Sequence, residues 1–179
     1  MIDTLARLLP QARAFPAYLE KRYVLVTLHR PSNVDLPETL TPILRALLDI
    51  CQDTEVVFPV HPRTRQHLAK LDLDVYRLRL LEPLPYLEFI AMQCRALAVI
   101  TDSGGIQEET TYLGVPCITV RENTERPVTV TLGTNVLVGR DTKRLVLELQ
   151  RILGGFRKEA QIPPLWDGHA GKRIAAILS

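Results

Sequence analysis

Short, β-branched apolar runs alternate along this chain with longer segments of helical spacing, and this alternation restricts the possible folds more than any other feature. The first run, Tyr23–Leu28, reads YVLVTL, as expected of a parallel strand covered on both faces. Pro37 then suits the first turn of a helix. The apolar side chains that share one face of this helix are Leu40, Ile43, Leu44, Leu47 and Leu48. Because parallel neighbours require a crossover, the pattern predicts an α/β fold, a doubly wound parallel sheet of the Rossmann-like class.

The same two patterns locate the remaining elements. Strands are predicted at Glu55–Val60, Arg77–Leu81, Leu97–Thr101, Pro116–Val120 and Asn135–Val138. Helices are predicted near Thr64–Ala69, Tyr86–Cys94, Ile106–Leu113 and Thr142–Leu153, with a short amphipathic tail helix at Lys172–Leu178. Ahead of the first strand, Pro10 and Pro16 interrupt the helical spacing, which predicts a broken helix or linker over residues 1–22. Residues 23–179 are then expected to form a single domain.

Charge and cysteine usage narrow the classes of partner. The net charge is +2 and the basic residues are scattered, which argues against nucleic acid and favours small molecules or protein. Cys51, Cys94 and Cys117 lie in apolar stretches without metal-ligand spacing, so we expect buried free thiols and no metal. No leader or bilayer-length apolar segment stands out, and the sequence therefore predicts a cytoplasmic protein without a membrane partner.

Polar residues follow four of the predicted strands at the point where each strand ends. These segments are His29–Asn33 (HRPSN), His61–Pro62, Asp102–Gly105 (DSGG) and Arg121. In an open parallel sheet, ligands bind outside the carboxyl ends of the strands. The sequence therefore predicts one binding rim built from these four segments.

The segment Asp102–Gly105 lies between a buried strand and a helix and has the composition of an anion site. Glycines allow close approach of the backbone, the Ser103 hydroxyl can donate, and a helix N-terminus attracts negative charge, which together suit a diphosphate. A role for Ser103 as a simple N-cap explains the same residues and stays open. The G-x-G-x-x-G and G-K-[ST] motifs are absent, which argues against NAD and ATP.

Several other residues near the rim have two interpretations. Glu109, one turn beyond the glycines, either accepts hydrogen bonds from two ribose hydroxyls or faces solvent. His29 and Arg30 offer a titratable group and a fixed charge beside a phosphate, and we favour a functional role for this pair. His61 is either a ligand contact or a turn residue.

Two further segments also have two possible interpretations each. Arg121–Arg126 (RENTER) either contacts a ligand or forms surface ion pairs of little energy. Tyr86 and Phe89 open a predicted helix, where aromatic side chains more often pack in the core than stack on a base.

Four motifs carry a family resemblance over nearly the whole chain: HRPSNVD, PVHP, TDSGGIQEET and LGVPCITVRENTERP. They resemble the non-hydrolysing UDP-N-acetylglucosamine 2-epimerases. The resemblance implies that the chain is the C-terminal half of a two-domain architecture of the GT-B type. Residues 1–22 would then be an interdomain segment, residues 23–179 the UDP-binding domain, and the N-terminal catalytic-partner domain would be absent from this sequence.

The resemblance also implies roles for individual residues. Ser103, Gly104 and Gly105 would contact the diphosphate. Glu109 would contact the ribose, Phe89 the uracil, and Arg126 the sugar-phosphate end. His29 would be the catalytic residue facing the reacting centre, and Arg30 and His61 would lie near a second, regulatory UDP-GlcNAc site. Pro31 and Ser32 stand where many members have Arg and Glu, and Val128 where many have Glu. These departures bear on regulation and sugar positioning more than on UDP binding.

The reaction implied by the resemblance interconverts UDP-GlcNAc and UDP-ManNAc by eliminating UDP and adding it back, without a cofactor. Because the family's proton-transfer carboxylates belong to its N-terminal domain, we expect this chain to bind UDP weakly and to turn over nothing, and the full-length form to be a homodimer. One alternative is the donor-binding half of a GT-B glycosyltransferase, against which RENTERP argues. Another is a non-catalytic nucleotide-sugar-binding module.

Overall fold

The computed structural model describes residues 1–16, 19, 21–50 and 54–178. Its strands are β1 (Tyr23–Thr27), β2 (Glu55–Pro59), β3 (Arg79–Leu81), β4 (Ala98–Thr101), β5 (Cys117–Thr119) and β6 (Asn135–Leu137). Its helices are α1 (Ile2–Ala14), α2 (Pro31–Val34), α3 (Pro37–Ile50), α4 (Pro62–Leu68), α5 (Tyr86–Arg95), α6 (Gly104–Leu113), α7 (Pro127–Thr131), α8 (Thr142–Leu153) and α9 (Ala170–Leu178).

Among the described residues, six parallel strands form one sheet in the order β3-β2-β1-β4-β5-β6. At its centre Val24 of β1 pairs with Val56 of β2 on one side and with Ala98 of β4 on the other. The chain runs outward from β1 to β3 and then returns to the opposite side of β1. This order confirms the predicted doubly wound α/β fold, and the reversal between β1 and β4 opens a crevice at their carboxyl ends.

Helices cover both faces of the sheet, which explains why the strand sequences are apolar throughout. Val24 and Val26 of β1 belong to the larger core cluster, which includes residues of α3 and α8. Tyr23 and Leu25 belong to a second cluster with residues of α5. Successive strand residues point to opposite faces, so an all-apolar strand must be covered twice. This packing holds β1 in place directly before the polar residues that follow it.

Helix α1 runs through Pro10 without a break, so the prediction of a broken helix is wrong at that residue. A proline inside a helix costs about 3 kcal/mol relative to alanine, and burial of Leu5 and Ala12 in a cluster shared with α5 offsets that cost. The second proline acts as predicted. Phe15, immediately before Pro16, is extended and ends the helix.

Other boundaries differ from the sequence predictions by a few residues. Helix α4 begins at Pro62, because proline suits the first helical position, where its missing N–H has no partner to lose. Helix α6 begins at Gly104 rather than at Ile106, so both glycines belong to its first turn. A 3-10 turn at Val75–Arg77 delays the start of β3 to Arg79.

The two described cysteines differ in burial. Cys117 is buried and Cys94 is half-buried, and burial raises the pKa of both thiols, to about 11 for Cys117. The predicted burial is therefore confirmed for Cys117 and holds only partly for Cys94. Cys51 lies outside the described residues.

Asp3 connects the first helix with the last. Its carboxylate accepts hydrogen bonds from the backbone N–H groups of Ala170 (3.2 Å) and Gly171 (2.7 Å), which have no carbonyl partner within their own helix. Asp3 therefore caps α9. None of the α9 residues that the structure describes is buried, and Ile174 and Ile177 expose apolar surface. Within the described ranges, no helix has the length and apolar character to cross a membrane.

Candidate functional site

A pocket of about 350 Å³ opens at the carboxyl ends of β1, β2 and β4, beside the reversal of strand order. Four residues predicted from the sequence line it together: His29 after β1, His61 after β2, Phe89 on α5 and Ser103 at the start of α6. Much of the remaining wall is apolar and comes from Leu28, Pro59, Pro83, Leu84 and Ile106. The predicted rim therefore surrounds a concave site with a few polar groups, as ligand sites usually do.

Asp102 joins the turns that follow β1 and β4. Its fully buried carboxylate accepts hydrogen bonds from the backbone N–H groups of His29 (3.1 Å) and Arg30 (2.9 Å) and from the side-chain amide of Asn33 (3.1 Å). The Nδ1 atom of His29 lies 3.1 Å from the other carboxylate oxygen. One side chain thus positions the whole polar turn after β1.

Hydrogen bonding between the half-exposed His29 and the buried Asp102 favours the charged form of each. Burial acts to raise the pKa of Asp102, but hydrogen bonds from His29, the Arg30 N–H and Asn33 lower that pKa below its ordinary value. The hydrogen bond to Asp102 raises the pKa of His29 above 6.5, against the opposing effect of burial. His29 is therefore oriented through Nδ1, and its half-exposed ring stands at the pocket wall, where it can exchange a proton.

The raised pKa of His29 makes part of the stability of the fold depend on pH. Its contribution is fully present below the unfolded-state pKa of about 6.5 and is lost as pH rises through the folded-state pKa. Asp102 stays ionised over this range. We expect the difference in unfolding free energy between the native chain and His29→Asn, measured by urea denaturation, to be largest near pH 6 and to shrink towards pH 9. A difference that grows with pH would contradict the pairing.

The start of α6 presents donors beside the pocket. Ser103 occupies the N-cap position, but its hydroxyl makes no capping hydrogen bond, so the N-cap interpretation does not account for its side chain. The first bond of this helical turn runs from the Gln107 N–H to the Ser103 carbonyl. The N–H groups of Gly104 and Gly105 precede that bond and have no helical partner. This is the arrangement that binds anions at helix N-termini.

A buried polar network holds α6 against the RENTERP loop. The Thr124 hydroxyl and the Asn135 side-chain amide both donate to the side-chain oxygen of Gln107, at 2.6 and 3.2 Å. Asn135 in turn accepts from the Thr119 hydroxyl at 2.7 Å. Through these bonds β5 and β6 fix the position of the loop relative to the start of α6.

Glu109 is 3% exposed, so the interpretation as a solvent-facing glutamate is wrong. Its carboxylate accepts hydrogen bonds from the Tyr86 hydroxyl and the Gln93 side-chain amide. Burial raises its pKa, and these two hydrogen bonds act in the opposite direction. Tyr86 is 40% exposed and lines the pocket, so it is not a core aromatic residue.

The RENTER segment forms ion pairs around the start of α6. Arg121 donates to both carboxylate oxygens of Glu125, at 2.7 and 2.9 Å, which lowers the pKa of Glu125 to about 2. Arg126 pairs with Glu108 of α6. A Cβ atom on Gly104 would lie 3.7 Å from the Glu125 carboxylate, so this loop covers the first turn of α6. Arg121 is thus paired within the loop, whereas Arg126 is paired with α6.

Arg30 does not share the main pocket with His61. It lines a neighbouring cavity of about 200 Å³ together with Arg121 and Arg140, and its Nε atom donates to the Asp102 carbonyl. Pro31 fits at the first position of α2, so this departure from the family pattern leaves the polar turn intact.

Sequence reasoning missed part of the site. Asp102 was assigned no role of its own, although a carboxylate directly after a buried strand at the reversal point is a recognisable signal. Asn33 appeared only as part of the HRPSN segment, with no role of its own. Gln93 had no signal, because helical spacing places it on a buried face without indicating a partner.

The family model for UDP-N-acetylglucosamine 2-epimerase matches residues 1–179. The UDP-N-acetylglucosamine 2-epimerase of Methanocaldococcus jannaschii is 39% identical over 168 residues, which are 90% of this chain and 45% of that protein. A crystal structure of the M. jannaschii enzyme in complex with UDP-GlcNAc and UDP superimposes with a TM-score of 0.87 and 37% identity, over 99% of this chain and 52% of that one. The Neisseria meningitidis enzyme bound to UDP-GlcNAc gives a TM-score of 0.84 at 29% identity, with coverage of 99% and 53%.

Proposed function

Because this chain belongs to the UDP-N-acetylglucosamine 2-epimerase family, we propose that its pocket binds the UDP part of UDP-GlcNAc or UDP-ManNAc. The observation that carries the proposal is the position of α6, whose unpartnered first N–H groups and Ser103 lie beside the pocket at the reversal of strand order. Helix N-termini bind phosphate through such groups and through the helix dipole.

The proposed roles of the individual residues follow the family resemblance. We assign Ser103, Gly104 and Gly105 to the diphosphate, Glu109 to the ribose, Phe89 to the uracil, Arg126 to the sugar-phosphate end and His29 to the reacting centre. Arg30 and His61 are assigned to a second, regulatory nucleotide-sugar site. Since they line different cavities, that site would have to span both. The altered positions Pro31, Ser32 and Val128 lie outside α6, so we expect them to affect regulation and sugar positioning more than UDP binding.

The chain spans about half the length of the curated relatives it matches, and the activity of the whole protein is therefore part of the proposal. The full-length protein would interconvert UDP-GlcNAc and UDP-ManNAc by eliminating and re-adding UDP. The site described here would stabilise the departing diphosphate. Groups outside this chain would move the carbon-bound proton, and the exposed apolar side chains of α9 offer a surface for such a domain. The homodimer and the cytoplasmic location stay predictions.

Isothermal titration calorimetry and a turnover assay test the proposal. The 179-residue chain should bind UDP and should not interconvert UDP-GlcNAc and UDP-ManNAc. The same chain within a protein of its relatives' length should incorporate solvent deuterium at C2 of the sugar. If the folded chain shows no heat of binding when titrated with UDP, the proposal is wrong.

The two alternatives give a different result in the deuterium experiment. A parallel sheet with an anion site also suits the donor-binding half of a GT-B glycosyltransferase, and it suits a non-catalytic nucleotide-sugar-binding module. Neither would exchange the hydrogen at C2. The RENTERP segment, held against α6 by Thr124 and Gln107, favours the epimerase.

A further inference from the structure

Both carboxylate oxygens of Glu109 are held by side chains of α5. The Tyr86 hydroxyl donates to one oxygen at 2.7 Å, and the Gln93 side-chain amide donates to the other at 2.6 Å. Gln93 is fully buried and Glu109 is 3% exposed, whereas Tyr86 is 40% exposed and lines the pocket. Tyr86 is therefore the member of this group that both lines the pocket and contacts the carboxylate.

The geometry leaves acceptor capacity on Glu109. A carboxylate offers about four lone-pair positions, two on each oxygen, and the two protein donors use one on each. Each oxygen can accept one more hydrogen bond, and two adjacent hydroxyls of a ribose would match two adjacent acceptors. Hydrogen bonds to a charged acceptor are stronger than those between neutral groups.

The Tyr86 hydrogen bond also favours the charged form of this acceptor. Burial raises the pKa of Glu109, and the hydrogen bonds from Gln93 and Tyr86 oppose that rise. Without the Tyr86 hydroxyl, the carboxylate would be held at one oxygen only. It would then be free to rotate, and a larger fraction of it would be protonated.

We propose that Tyr86 is a positioning residue that sets sugar specificity: its hydrogen bond orients the Glu109 carboxylate to accept the ribose hydroxyls, and so makes the pocket prefer a ribonucleotide to a 2′-deoxyribonucleotide. The inference rests on the proposed function, because it requires UDP to bind with its ribose at Glu109. A purely structural role explains the position of Tyr86 less well, since its hydroxyl contacts a buried carboxylate while its ring is partly exposed and lines the pocket.

The test compares UDP with 2′-deoxy-UDP by calorimetry on the 179-residue chain. We expect the native chain to bind UDP more tightly. Tyr86→Phe should weaken UDP binding about tenfold, as expected for loss of a hydrogen bond to a charged group, and should weaken 2′-deoxy-UDP binding less, because that nucleotide has only the 3′-hydroxyl to donate to Glu109. Tyr76→Phe is the matched control, because Tyr76 is 91% exposed and does not line the pocket; it should change neither affinity.

A double variant distinguishes an effect of Tyr86 through Glu109 from a general loss of folding. In Glu109→Gln the preference for UDP should already be reduced, and adding Tyr86→Phe should reduce it no further. If the native chain binds no UDP, the proposed function itself fails. If it binds UDP but Tyr86→Phe leaves the ratio of the two affinities unchanged, or weakens both nucleotides equally, the inference about Tyr86 is overturned while the proposed function stands.

Discussion

Replacing Asp102 with alanine should lower the free energy of unfolding by about 3 kcal/mol, because a buried donor left without its acceptor costs about 1–3 kcal/mol and several donors share this carboxylate. The buried carboxylate accepts from the His29 and Arg30 backbone N–H groups and from the Asn33 side chain. Alanine would leave these donors without an acceptor in the protein interior. Because small domains are stable by about 5–15 kcal/mol in total, this loss would be plain in urea denaturation.

A conservative variant and a surface control accompany Asp102→Ala. Asp102→Asn keeps one acceptor oxygen and should lose less stability than the alanine variant. Asp72→Ala removes an exposed aspartate and should change the free energy of unfolding by no more than about 0.5 kcal/mol. A loss below about 1 kcal/mol in Asp102→Ala would mean that the turn after β1 is held by other contacts.

Replacing Gly105 with aspartate should weaken UDP binding at least a hundredfold. A carboxylate about 5 Å from a phosphate charge, at an effective dielectric constant of about 20, costs roughly 3 kcal/mol. The fold should survive, because an acidic residue in the first turn of a helix is favourable. The new Cβ would meet the end of the flexible Met1 side chain at 2.8 Å, which can move aside. Calorimetry with UDP measures the loss.

The control for this variant places the same charge elsewhere. Gly154 is exposed and follows the last residue of α8, at the end of the helix remote from the rim. Gly154→Asp should leave UDP affinity unchanged, although it is mildly unfavourable for a helix C-terminus. If Gly105→Asp binds UDP as the native chain does, α6 is not the diphosphate site.

The sheet could be predicted from the sequence because its strands are covered on both faces, which leaves a continuous apolar run such as Tyr23–Leu28. The topology then placed four polar segments at one rim. The effect of Pro10 was predicted wrongly because the local helix preference of proline does not include the packing of α1 against α5. That packing outweighs the unfavourable preference. The start of β3 moved to Arg79 because a 3-10 turn precedes it, and α6 starts early because Gly104 and Gly105 join its first turn.

The residues of the rim were predictable as a set, but their mutual contacts were not. His29, His61, Phe89 and Ser103 do share a pocket. That Arg30 turns towards a second cavity depends on its bond to the Asp102 carbonyl, which joins residues 72 positions apart. Contacts of this kind have no local signature in the sequence, and the Tyr86–Glu109 hydrogen bond is another of them.

The cap that Asp3 gives to α9 has a consequence for where this molecule can be divided. A cut before Tyr23 looks natural in the sequence, because β1 starts the sheet there. In the fold, however, residues on the two sides of that cut are in contact. The Asp3 carboxylate accepts hydrogen bonds from the backbone N–H groups of Ala170 and Gly171. Removing the residues before Tyr23 would therefore also remove the cap of α9, the last helix of the chain.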